Sequence, residues 1–343
     1  METKIVSVDS EVDNVRNYQQ AVDILKSGEV VAFPTETVYG LGALATKREA
    51  VQKIYDAKGR PSDNPLIIHI GKKEDANLYA VDIPEAAQKL MDRFWPGPLT
   101  MVFHKRPGVI AENATPGFET VGIRMPDHPV ALQLLNMLDG PLAAPSANRS
   151  GKPSPTEAEH VYADLNGRIP MIVDGGQTGV GVESTVLDMT TEPPAILRPG
   201  GLTKEMIEKV IGPVQSEGKT EKDKAPRAPG MKYMHYAPNA PLFMIEASET
   251  AIQTAVQNLH KEGKRIAVIG PEEFSIEEAD WYFSVGSLHD YDAIAANLYR
   301  AIRQCDETEA DVILAAETEA SGVGEAIMNR LTKAANGKRY SQR

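Results

Sequence analysis

The residues whose types and spacing could carry chemistry lie in a few short stretches of the first two-thirds of the chain. In PTETVYGLGALA, Thr35, Glu36, Thr37 and Tyr39 are packed between the apolar run EVVAF and two glycines. A loop of hydroxyls at a strand's carboxyl end lies where open α/β sheets bind ligands. In KIYDAKGRPSDNPLIIHI, Gly59 and Pro61 stop a helix between Lys58 and Arg60, and Ser62, Asp63 and Asn64 follow. Arginine offers a bidentate fork and lysine a point charge, so two fixed cations beside a polar loop can clamp phosphate. The alternative is a solvated basic helix end. At such an end neither cation is expected to belong to a core. His69 alternates with Ile68 and Ile70, which leaves it either facing a pocket or satisfied inside a core. In PLAAPSANRSGKPSPT, Ser146 and Asn148 are two apart at a strand end, so both side chains are expected on one face. Ser150, Gly151, Lys152 and Ser154 then supply a polar loop, and an ordinary turn is the competing reading. ETVGIRMP puts Arg124 at a strand end beside Thr120, while STVLDM and PAILRPGG bring Ser184 and Arg198 to further strand ends.

Other patterns exclude competing chemistries. No GxxxxGK[ST] occurs, so any ATP is bound without a P-loop. GLGALA nearly fits a dinucleotide fingerprint, but six residues separate its glycines from the preceding strand and Asp56 falls inside an amphipathic helix. The second G-x-G, in GVGEAIMNRL, reads as a turn glycine before a helix. The seven histidines are scattered, without HExxH or a His/Cys cluster, so no zinc site is expected. Cys305, the only cysteine, lies on the amphipathic run ANLYRAIRQC and reads as a small core residue, not a nucleophile. A lone cysteine forms no internal disulfide and fits a reducing cytoplasm. Net charge is −12, from 36 basic and 48 acidic residues. That opposes extensive nucleic-acid binding, which rests on phosphate neutralisation, but leaves room for a local basic pocket. No apolar run reaches membrane-spanning length, and METKIVSVDS lacks the pattern of a secretory signal.

These residues need a scaffold to bring them together. EVVAF, PLIIHI, LTMVF, TVGIR, PLAAP, MIVDG, STVLDM and PAILR read as strands, several of them apolar throughout and so buried on both faces. AVDILKSG, EAVQKIYDAKG, EAAQKLMDRF, HPVALQLLNMLDG and TEAEHVYADLNG read as helices ending near glycine or a polar break. The pattern predicts one large α/β domain on a twisted mixed sheet over 1–212, closed by TKEMIEKVIG with Thr203 as N-cap. Residues 213–240 are rich in charge, proline and small residues, as in a linker. Their second half carries Met231, Tyr233, Met234, His235 and Tyr236, which a plain spacer has no reason to hold. The segment is therefore expected to act as a lid. From 241 to 343, strands LFMIE, RIAVIG, WYFSVG and DVILAAE alternate with three amphipathic helices, a smaller α/β domain of Rossmann-like type.

Together the motifs are specific. FPTETVYGLGA, Lys58-x-Arg60 with PSDNPL, FWPGPLT, TVGIRMP, APSANRSG and ILRPG occur in that order, and the chain resembles the YrdC-type L-threonylcarbamoyladenylate synthases. KYMHYAP and the small C-terminal domain resemble that family's long, two-domain form. The resemblance implies synthesis of L-threonylcarbamoyl-AMP from L-threonine, bicarbonate and ATP, in a cytoplasmic enzyme serving tRNA modification. It implies that Thr37, His69, Arg124, Ala144 and Ser184 form the threonine pocket, with Arg124 on the carboxylate. Arg60, Asn64, Thr120, Ser146, Ser154 and Arg198 would form the nucleotide site, and Lys58 and Asn148 would complete the active-site pairs; as part of the expected lid, Tyr236 would reach the nucleotide. Magnesium would accompany the triphosphate, and the product would pass to the transferase machinery acting on tRNA. Two other readings are weighed against this. A YrdC-type domain could be an RNA-binding module without turnover, which the acidic charge opposes as the main role. A hydrogenase-maturation carbamoyltransferase would need cysteine-rich zinc segments that one cysteine cannot supply.

Overall fold

A computed structural model describes residues 2–8, 14–216 and 235–341. The chain divides into two compact units, the first comprising 1–150, 155–179 and 183–232, the second 151–154, 180–182 and 233–343. Most of the segment expected to act as a lid, 217–234, lies outside the described residues.

In chain order the first unit carries β1 (Lys4–Ser7), α1 (Val15–Lys26), β2 (Val31–Phe33), β3 (Gly40–Leu44), α2 (Arg48–Lys58), β4 (Ile67–His69), α3 (Ala76–Tyr79), β5 (Ala80–Val81) and α4 (Glu85–Phe94). It continues with β6 (Leu99–Lys105), β7 (Thr120–Arg124), α5 (Pro129–Leu138), β8 (Leu142–Ala143), α6 (Ala158–Leu165), β9 (Met171–Asp174), β10 (Thr185–Asp188), β11 (Ala195–Arg198), α7 (Lys204–Ile211) and β12 (Gln215–Ser216). The sheet runs β1-β9-β2-β3-β8-β4-β7-β6-β10-β11-β12, with β5 paired to β6, and mixes parallel and antiparallel pairs. This is the mixed α/β sheet the pattern predicts. Thr203 caps α7, its hydroxyl accepting from the Met206 N–H at 3.3 Å.

Strand alternation sends side chains to two different environments. On one face Ile68, Met101, Phe103, Val121, Ile123 and Leu187 pack with residues of α2, α4, α6 and α7 in a single core. On the other, α1 and α5 cover Val31, Phe33, Leu142, Ala144, Met171 and Val173. The strand residues alternating with the first set on β4, β6 and β7 include His69, Thr100 and Arg124, all buried. Polar groups collect where that second apolar core ends.

Four strands escape the sequence pattern: β1, β3, β5 and β12. The last falls inside the stretch read as linker. GLGAL gives no alternation because Gly42 is bare for a packing reason: a Cβ there would stand 2.7 Å from Cε1 of Phe33. Its G-x-G therefore lies inside an antiparallel strand, paired with β2 and β8, and not in a dinucleotide-binding turn.

The second unit carries β13 (Leu242–Ile245), α8 (Glu249–Lys261), β14 (Ile266–Gly270), β15 (Trp281–Ser284), α9 (Tyr291–Asp306), β16 (Val312–Ala316) and α10 (Val323–Ala334). Its sheet, β13-β16-β14-β15, is wholly parallel, as a Rossmann-like α/β unit requires. Cys305 is buried on α9, and burial pushes its thiol up to about 12, so it is inert packing. Among the described residues no helix is long and apolar enough to cross a membrane.

Candidate active site

The Thr35–Tyr39 loop leaves β2 and returns as β3. Thr35 organises it: its hydroxyl donates to the Val38 carbonyl at 2.7 Å and lies 2.9 Å from the Thr37 hydroxyl. Arg124, closing β7, donates through Nη1 to Thr37 Oγ1 at 2.9 Å and through Nη2 to Glu36 Oε2. The guanidinium is thus held in a buried ion pair. Its Nε and the second carboxylate oxygen of Glu36, Oε1, are both buried without a hydrogen-bond partner.

His69 closes β4 in register with Arg124 on β7. Burial first, and then the Arg124 charge, push its imidazole down to about 3. Nδ1 lies 3.2 Å from the Ile67 carbonyl. The tautomer that satisfies this carbonyl carries its proton on Nδ1 and leaves Nε2 as an acceptor. The result is a neutral imidazole beside a fixed cation. The shift also makes a stability prediction. Between about 6.5 and about 3 the unfolded chain binds a proton that the folded His69 refuses. Stability from this residue is therefore intact above pH 6.5 and falls as the pH drops through that window. The slope approaches about 1.4 kcal/mol per pH unit. Urea unfolding between pH 7 and 5 should show it, and His69→Gln should flatten it; equal slopes would mean that His69 titrates normally.

The expectation that neither basic-loop cation belongs to a core fails for Lys58. It ends α2, as the pattern predicts, and Gly59 caps the helix in the left-handed region at φ 61. Yet Lys58 is only 2% exposed. Its ammonium donates to the Ser146 carbonyl, to the Asn148 carbonyl at 2.6 Å and to Asn148 Oδ1 at 3.4 Å. The reason is geometric: a four-carbon stem can follow the helix inward and place its charge on the carbonyls of a distant turn. Lys58 therefore ties α2 to the Ser146–Asn148 turn. Arg60 is half-buried, with Nη2 donating to the Pro65 carbonyl at 3.2 Å and Nε at the limit, 3.5 Å, from the Asn64 carbonyl. Asn64 is buried, and its Oδ1 has no hydrogen-bond partner.

Ser146 and Asn148 do not share a strand face, because β8 stops at Ala143. Ser146 forms an isolated bridge with Gly40 and is half-buried, whereas buried Asn148 is turned to Lys58 and Arg149. Ala144 donates its N–H to the Ile67 carbonyl at 3.0 Å, and its Cβ would lie 3.5 Å from one on Gly40. Ser184 and Arg198 touch directly: Arg198 Nε and Nη2 donate to the Ser184 carbonyl at 3.1 and 2.9 Å, and Nη2 reaches the hydroxyl at 3.1 Å. The Ser184 hydroxyl also lies 2.8 Å from that of Thr100, which packs against Gly122 of β7. Ser184 and Arg198, assigned to different subsites by the resemblance, are thus contiguous.

Thr120 and Arg124 are not side by side. They sit at opposite ends of β7, about 13 Å apart at the usual strand rise. Nor do the carboxyl ends of all the strands meet at one edge, since β4 runs antiparallel to β8. The cluster is built across a sheet face, with Arg124 bridging to the β2–β3 loop. Ser154 and Tyr236 belong to the second unit. Ser154 is fully buried, in a loop whose Pro153 carbonyl accepts from Arg303 at 2.6 Å. Tyr236 is also buried, 5.1 Å from the Tyr299 ring, and its φ is +65°. Sequence reasoning gave Glu36 no role. Its place between two threonines in a loop of hydroxyls was the available signal.

Residues 23–200 match the Sua5_yciO_yrdC family model, described as "Telomere recombination", and residues 202–336 match Sua5_C, described as "Threonylcarbamoyl-AMP synthase, C-terminal domain". The chain belongs to the Sua5/YrdC threonylcarbamoyl-AMP synthase family. It is 53% identical over 321 residues to the threonylcarbamoyl-AMP synthase of Bacillus subtilis, 93% of each chain. It is 49% identical over 322 residues to that of Pyrococcus abyssi, 92% of each. The structure is similar to that of P. abyssi Sua5 complexed with L-threonine, with a TM-score of 0.93, 46% identity and 98% of each chain covered. The Sua5/YrdC resemblance read from the motifs is thereby borne out, and the two-unit α/β fold is the fold of this family.

Proposed function

We propose that the chain, as a threonylcarbamoyl-AMP synthase, carries out its reaction on the polar face around Arg124, Thr37, His69, Ser184 and Arg198. The threonine amine and bicarbonate give a carbamate with loss of water, and its carboxylate attacks the α-phosphate of ATP and expels pyrophosphate. The mixed anhydride is then consumed by a transferase acting on tRNA. The observation that carries this reading is the buried Arg124, joined to Thr37 and adjacent to a histidine held neutral. A guanidinium with an unpartnered Nε suits an amino-acid carboxylate, and a neutral imidazole acceptor suits a hydroxyl.

Every reactant is an anion or carries one, so the site works by positioned donors and cations. Arg198 beside Ser184, and Arg60 with Asn64 after α2, are the groups for nucleotide oxygens, with Thr120 and Ser146 flanking them. Lys58 and Asn148 shape the turn that presents Ser146. For Ser154 the resemblance alone speaks, and for Tyr236 the aromatic character of its segment. Among the described residues no group of three or more His, Cys, Asp or Glu could hold a metal ion. A magnesium ion accompanying ATP would be carried mainly by triphosphate oxygens and water, with few protein ligands required.

Incubation with ATP, bicarbonate and labelled threonine should yield labelled adenylate and pyrophosphate; ATP turnover independent of threonine would refute the reading. Specificity supplies a further test. Serine lacks one methyl and should be used tens to a few hundredfold less well, since a methyl in an apolar pocket gives only about 1–3 kcal/mol. Valine should be rejected because it leaves the hydroxyl's partner unpaired. Equal kcat/KM for threonine and valine would rule out a hydroxyl-reading pocket.

A further inference from the structure

Glu36 is a charged side chain that the reaction as drawn does not use. It stands next to Thr37 in the β2–β3 loop, its side chain only 12% exposed, and Oε2 is committed to Arg124. Oε1 is shielded and accepts no hydrogen bond. A buried carboxylate has room for several donors, and one left with an empty oxygen carries an unmet desolvation cost. The Arg124 guanidinium also has a spare donor, Nε. A cation and an anion thus lie side by side, each with a buried polar atom that makes no hydrogen bond. An amino acid presents the complementary pair, an α-carboxylate and an α-ammonium on adjacent bonds.

We propose that Glu36 is the ammonium-recognising residue of the threonine site. It receives the α-ammonium on Oε1 while Arg124 receives the carboxylate, so that the enzyme selects amino acids over analogues that lack the amine. The inference rests on the proposed threonine site around Arg124 and adds to it a residue and a selection rule. Glu36 is a binding residue here, and no proton transfer is assigned to it. A neutral carboxamide at this position could still accept from Arg124, but would offer the ammonium no countercharge.

The test compares wild type and Glu36→Gln by calorimetric titration with L-threonine and with 3-hydroxybutyrate, which keeps the carboxylate, hydroxyl and methyl but lacks the amine. Wild type should bind threonine more tightly than the hydroxy acid. E36Q should lose at least about tenfold in threonine affinity, the scale of one charge-assisted hydrogen bond. Its affinity for 3-hydroxybutyrate should stay the same or rise, because the carboxylate competing for Arg124 is gone. ATP affinity and the thermal midpoint serve as folding controls. Unchanged threonine affinity in E36Q overturns the proposal. So does a parallel loss of both ligands, which would make Glu36 only a support for Arg124. The titration needs neither ATP nor bicarbonate, so it is independent of the turnover assay. Wild type that binds no threonine would refute the site reading itself, whereas adenylate synthesis with an indifferent E36Q would refute only the role of Glu36.

Discussion

Lys58→Ala should unfold far more easily than wild type and make no detectable adenylate, whereas Arg60→Ala should keep the fold and lose activity alone. Lys58 is buried, and its ammonium serves the carbonyls of Ser146 and Asn148. Removing it takes charge-assisted hydrogen bonds from those acceptors, each worth about 1.5–3 kcal/mol, and opens a cavity along the stem. A loss of about 3 kcal/mol in urea unfolding is expected. Lys58→Met, which keeps much of the volume, should recover part of that stability and none of the activity. Arg60 is half-buried at the helix end and bonded to loop carbonyls. Arg60→Ala should change stability by less than about 1 kcal/mol, while a cation lost from transition-state charge costs on the order of 100-fold in kcat/KM. Equal stability of the two variants would contradict the buried role of Lys58, and wild-type rates in R60A would remove Arg60 from the mechanism.

Arg124 should give the largest effect on substrate affinity. Truncating one partner of a buried, hydrogen-bonded charge pair costs about 2–5 kcal/mol, so Arg124→Ala should raise the threonine KM by 100-fold or more. Part of that loss will appear as instability, because the largely shielded Glu36 is left without its cation. Arg124→Lys separates the two contributions. It preserves the charge but not the fork that holds Thr37 and Glu36 together. Its melting temperature should stay near wild type while threonine KM rises at least about tenfold and ATP KM does not move. A parallel rise in both KM values would place Arg124 outside the threonine subsite.

Local rules account for much that was legible before the structure. The left-handed glycine that ends α2, the Thr203 cap on α7 and the β-rich runs of β6 and β7 depend on neighbours within a few residues. The basic pair and the SxN turn are similarly local signals, and the order of the motifs carried the family. The reading of Cys305 as core needed only its place on an amphipathic helix.

Partnerships across long sequence separations were a different matter. Lys58 lies 90 residues from Asn148, and Arg124 lies 88 from Glu36. No periodicity links such positions, because their energy comes from burial that exists only once the sheet has formed. β3 was invisible for the same reason: Gly42 is bare because the Phe33 ring occupies the space where a side chain would go. Thr120 and Arg124 look adjacent in a string, yet a strand separates them by its whole length. By itself, the sequence determined the chemistry available, the two-unit α/β organisation and the family. Only the tertiary structure decided which cation is buried and which carboxylate faces Arg124, since a charge is stable inside a protein solely where distant chain segments supply its partners.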